Sequence, residues 1–107
     1  MATIKELKAK INHNFKQISA TPPEIICIYK DHVIIKYEER DFETGCATKD
    51  YLYTLVDYDG NQITPISYCD VELCKKVIDM GDVKNLDKIQ AIVNAYNLEK
   101  AYIRHAV

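Results

Sequence analysis

Glycine is scarce in this chain. Only three of its 107 residues are glycine, Gly45, Gly60 and Gly81, and each stands where a turn or a helix stop needs one. None is left over for a loop that cradles phosphate, because such loops need a backbone approach that only glycine permits. P-loop and dinucleotide-binding fingerprints are therefore excluded. The chain also has no HExxH, GxSxG or EF-hand pattern. The expectation is a protein that is not an enzyme and carries no cofactor. Long apolar runs are missing too. The longest is Ile25-Ile26-Cys27-Ile28-Tyr29, far short of the ~18 residues that a membrane span requires. Met1 to Glu6 holds no apolar stretch of the kind that opens a secretory signal. The expected location is cytoplasmic, with no membrane partner. Internal repeats, low-complexity tracts and linkers are absent, so residues 1–107 read as a single domain.

The composition is that of an ordinary globular protein, 48% hydrophobic and 28% charged. A chain of this length buries somewhat over ~60% of its unfolded surface and folds without staples. The four cysteines, Cys27, Cys46, Cys69 and Cys74, therefore read as reduced, structural thiols. Cys69 and Cys74 are four residues apart in the gap, not the two of a zinc knuckle or redox pair, and His13, His32 and His105 are scattered. No metal site is expected.

The hydrophobic periodicity predicts a helix first. Thr3 is its cap, with Glu6 three residues on, and Ile4, Leu7, Ile11, Phe15 and Ile18 form one narrow apolar stripe. Pro22-Pro23 is the expected stop. A meander of strands follows: Glu24 to Lys30, Val33 to Arg40, Thr48 to Tyr58, and Gln62 to about Ile66. Asp31-His32 and Asp59-Gly60-Asn61 are the expected turns. Pro65 cannot donate to a ladder, which puts the fourth strand at an edge or near its end. Ser67 or Asp70 caps a helix that runs to about Met80 and stops at Gly81. A last helix starts between Asp82 and Leu86. The end of the chain reads either as more helix or as a short strand over Tyr102 to Val107. The fold class is α+β: an N-terminal helix, a four-stranded antiparallel β-meander, and two C-terminal helices packed on the sheet.

Both sheet faces are apolar. Val33, Ile35 and Tyr37 share one face of the second strand and Ile34 the other. Tyr51, Tyr53 and Leu55 oppose Leu52, Val56 and Tyr58 on the third. Three helices with narrow stripes would cover one face and leave part of the other, so the area argument favours a homodimer. The competing account is a monomer whose N-terminal helix crosses to the second face.

Partner recognition is the remaining signal. Residues 38 to 59 hold seven acids against Arg40 and Lys49, a surface for a basic partner. Six of the eight tyrosines lie in or beside the sheet, and tyrosine suits recognition surfaces. The expected partner-binding residues are Tyr37, Tyr51, Tyr53, Tyr58, Glu38, Glu39 and Asp41. The function expected is a small adaptor, regulator or inhibitor with a protein partner, of a size and composition that would fit a phage or mobile-element product. The alternative is nucleotide or single-stranded nucleic-acid binding, with tyrosines stacking bases and Lys36, Arg40 or Lys49 meeting phosphate. A third reading is an enzyme whose Cys/His site assembles in space. The element order invites comparison with double-stranded RNA-binding domains. However, Ser67-Tyr68-Cys69-Asp70-Val71-Glu72 places two acids where those domains are lysine-rich.

Overall fold

The computed structural model describes residues 3–106, with side chains as far as Tyr102. Three helices and three strands follow one another as α1 (Ile4–Asn14), β1 (Glu24–Tyr29), β2 (His32–Arg40), β3 (Ala47–Val56), α2 (Val71–Met80) and α3 (Leu86–Ala106). The strands form one antiparallel sheet in the order β1-β2-β3. The class is α+β as expected, but the fourth strand is replaced by two isolated bridges. Gln62 pairs with Val56, and Tyr68 pairs with Tyr53. Pro65 lies between them and has no N–H to carry a ladder through.

α1 starts as its sequence dictates. The Thr3 hydroxyl accepts from the Glu6 N–H at 3.1 Å. It ends at Asn14, well before the two prolines. Phe15 to Ile18 form turns, and residues 18–20 bond to the far half of β2 instead. Ala20 N–H donates to Glu38 O at 2.9 Å, and Arg40 N–H donates to Ile18 O at 3.1 Å. Pro22-Pro23 thus separate this bridge from β1, which runs along the near half of the same β2 edge.

The β1–β2 turn is Lys30-Asp31, one residue earlier than expected. Both residues take positive φ, at 46° and 64°, as a two-residue hairpin turn demands. α2 is capped by Asp70, whose carboxylate accepts from Leu73 N–H at 2.8 Å, and is stopped by Gly81 at φ 98°. α3 continues as helix to Ala106. Val107 lies outside the described residues.

The sheet is covered on both faces. α1 lays Leu7, Ile11 and Phe15 against Val33, Ile35, Tyr37 and Val56. On the other face, α2 and α3 bring Leu73, Cys74, Val77, Ile78, Ile89 and Tyr96 against Ile34, Leu55 and Tyr68. The alternation of β2 sorts the two cores. The crossing of α1 removes the bare face on which the area argument for a homodimer rested. Among the described residues, no helix is long and apolar enough to cross a membrane.

Candidate functional site at the β2–β3 tip

The near half of the β2–β3 hairpin is interior. Val33, Ile34, Ile35, Thr54, Leu55 and Val56 are all 0% exposed. The far half leaves the helices behind and turns at Asp41 to Cys46. The Asp41 carboxylate accepts from the N–H groups of Glu43 and Thr44, at 2.7 and 3.2 Å. Gly45 N–H donates to Asp41 O at 2.8 Å, and Asp41 N–H donates to Cys46 O at 2.8 Å. These bonds close the turn on itself. Phe42, held on it, is 97% exposed.

Below the turn the strands are irregular. Glu38 pairs with Tyr51 and Arg40 with Ala47, so three residues of β3 oppose Glu39 alone. Lys49 sits in this bulge at φ 66°. Its N–H donates to the buried Glu38 carboxylate at 3.1 Å, and the Thr48 hydroxyl donates to Glu39 O at 3.0 Å. Such a bulge bends and twists the hairpin.

A cleft of about 600 Å³ opens between the turn and the segment after α1. Lys16, Ile18, Tyr37, Arg40 and Phe42 are among its walls. Arg40 donates from Nη2 to Ser19 O at 3.0 Å, which ties the segment to β2. Its Nε is buried with no hydrogen-bond partner among the described residues.

The seven expected contact residues are dispersed. Glu39, Asp41 and Tyr37 line the cleft, but Tyr37 is buried, with its hydroxyl 2.8 Å from Ser67 Oγ. Glu38 faces inward and serves the bulge, not the surface. Tyr53 is half-buried against the α2–α3 core. Tyr51 and Tyr58 are the exposed tyrosines of the set, at 53% and 46%. Tyr51 is inside β3 and Tyr58 is in the turn beyond its end at Val56. Lys36 sits 4.5 Å over the Tyr51 ring, while the Tyr58 hydroxyl donates to Asp31 at the other end of the sheet. Together they do not form a contiguous stacking platform.

No known protein family, characterised protein or solved structure matches the chain.

Phe42, Lys16 and Ile18 were missed as site residues. The signal for Phe42 was a lone aromatic inside the polar run Asp41-Phe42-Glu43-Thr44-Gly45, where no strand or helix period explains it. Lys16 and Ile18 reach the cleft only because α1 stops early. Cysteine chemistry finds little support at the buried position. Burial first, then the Asp70 carboxylate, push the Cys74 thiol up to about 12, which keeps it protonated and unreactive. Among the described residues, no group of three or more His, Cys, Asp or Glu could hold a metal ion.

Proposed function

We propose that this chain is a small non-enzymatic binding protein, an adaptor, regulator or inhibitor, that docks its β2–β3 tip onto a basic surface of a protein partner. The observation that carries this reading is Phe42, an aromatic ring 97% exposed on a hydrogen-bonded turn beside a cleft. A large apolar side chain held out in water gains when a partner covers it, and Ile18 and Tyr37 in the cleft wall beside it extend the apolar contact. Aromatic anchors surrounded by a polar rim are what interface hot spots are made of. The rim is acidic on balance: Glu39, Asp41, Glu43 and Asp50 stand against Lys16, Arg40 and Lys49, which favours a basic partner and steers its approach. The closed turn reduces the ordering cost of binding.

The test is co-purification from cells of origin, comparing the unaltered chain with Phe42→Ala and with Asp41→Ala. A protein captured by the first and lost with Phe42→Ala supports the reading. Recovery of a nucleic acid or small molecule in place of a protein overturns it.

A further inference from the structure

The two edges of the sheet are treated differently. The outer edge of β3 is paired by the segment after it. Ile63 N–H donates to Leu55 O at 3.0 Å, and Tyr53 and Tyr68 exchange bonds of 2.8 and 2.7 Å. On the opposite side, residues 18–20 pair with the far half of β2. The outer edge of β1 has no backbone neighbour among the described residues. Such an edge is a template for another strand, and natural proteins guard it with lysine, proline, short length or bulges. β1 has a bulge between Ile25 and Cys27, but no charge or proline from Ile25 to Tyr29. Ile26 and Ile28 stand 37% and 47% exposed along it.

We infer that two copies of this protein associate through β1, antiparallel about a two-fold axis at Cys27, so that the sheets join in the order β3-β2-β1-β1-β2-β3. The strand is its own complement in this register. In this arrangement Glu24, at the start of each β1, faces Lys30, the turn residue just past the end of the other, and the exposed Ile28 of each lies against the bulged Ile26 of the other. Opposite charges facing across strands stabilise a pairing, and like charges destabilise it. Lys30, in the turn just past β1, is held in place by Asp79, whose carboxylate it reaches at 2.5 Å. Sliding the pairing by two residues loses both charge pairs. The interface is isologous, as a two-fold contact must be. It is independent of the tip. In this arrangement the two tips point in opposite directions from a continuous sheet, which suits bridging two partner molecules.

Sedimentation equilibrium of the purified full chain, at low salt and over a wide concentration range, tests this. The expected species is a dimer of the 12.3 kDa chain. Glu24→Lys alone and Lys30→Glu alone should each weaken it about tenfold, because each sets like charges together twice. An equimolar mixture of these two variants should regain dimer, since every contact then joins a lysine to a glutamate. Ile28→Lys should abolish association while leaving the circular-dichroism spectrum unchanged. A chain that stays monomeric at every concentration overturns the inference. So does a dimer that survives Ile28→Lys and instead separates with Leu98→Lys, on the 72% exposed flank of α3. So does a variant mixture that associates no better than its components. None of these readouts depends on a captured partner, so failure here is distinct from failure of the tip reading.

Discussion

The same two strands behave as interior at one end and as display at the other. Between Val33–Ile35 and Thr54–Val56, the hairpin lies between α1 and the α2–α3 pair, and six side chains are wholly buried. From Glu38 to Asp50 it leaves both layers, takes up a bulge, and ends in a turn whose aromatic ring is almost fully in water. A continuous strand does not need a continuous environment. The near end anchors the hairpin, and the far end is free to meet something else.

The largest contrast should appear on truncation. Ile34 is 0% exposed and packs in the α2–α3 core. Ile34→Ala should cost about 2–5 kcal/mol, the range for emptying a buried aliphatic position. Urea denaturation reads this directly, and a loss below 1 kcal/mol would show that the near end is not the anchor.

The thiols sharpen the comparison chemically. Cys46, at the far end, is exposed, while Cys74, in the core, is buried. An aromatic disulfide reagent at mildly alkaline pH should modify Cys46 and Cys69 quickly and Cys74 only after denaturation. The sign of the pH effect follows from the raised folded-state value. Unfolded, this thiol titrates near 9.0, and folded, near about 12. Between those values the native state holds the proton and the unfolded state has lost it, so stability falls as pH rises from about 9 to about 12. Below about 9 the contribution is fully present. Tyr68, whose hydroxyl burial pushes upward, adds in the same direction. A urea midpoint unchanged across that window would contradict the burial of both groups.

Two glycines separate the ends again. Gly60 has φ 77°, and a Cβ there would lie 2.8 Å from Ile11 N and 2.9 Å from the Lys10 carbonyl carbon, both backbone atoms of α1. Gly45, in the tip turn, has φ 72° and nothing within 4 Å. Gly45→Ala should lose only the left-handed penalty, about 1 kcal/mol. Gly60→Ala should lose that and about 1–3 kcal/mol more for the clash. Equal losses would mean that α1 does not seat on the 57–60 turn.

Thr3→Ala comes next, at about 1 kcal/mol for a lost helix cap. α1 supplies the helical side of one core, so this small loss should appear in the global unfolding transition. An unchanged thermal midpoint would show that α1 does not start at Thr3.

Much of this arrangement was legible in the sequence. The Thr3 cap, the Gly81 stop and the face assignment of β2 all follow from residue chemistry and a period of two or 3.6, while the same chemistry narrows the second cap to Ser67 or Asp70, and it falls on Asp70. What could not be read was where elements go once formed. The stripe Leu7, Ile11, Phe15 says that α1 buries one side, but not which face of the sheet receives it. Ile18 keeps the helical spacing although the chain has already left the helix, because bonds from residues 18–20 to β2 replace helical ones. Pro65 warned of a weak fourth strand, and bridges on either side of it are what remain. At the tip, the acidic run was visible, yet Glu38 turned inward to serve a bulge that only the strand pairing creates. Tyr37 and Tyr53 were ambiguous by nature, since tyrosine is equally a strand former and a contact residue. Phe42 was the residue that no period required.

The smallest expected effect is therefore the most discriminating. Phe42→Ala removes a ring that is 97% exposed, so the folded state loses almost no burial. Surface substitutions of this kind stay within about 0.5 kcal/mol. Its urea midpoint and slope should match those of the unaltered chain, in contrast to the several kcal/mol expected for Ile34→Ala on the same hairpin. Partner capture should nonetheless fall at least about tenfold, because truncating an aromatic anchor costs binding energy that the fold never used. A Phe42→Ala chain that is destabilised by more than about 1 kcal/mol would place the ring in the cleft beneath it, closing the protein on itself. A chain with unchanged stability and unchanged capture would remove the tip from the interface.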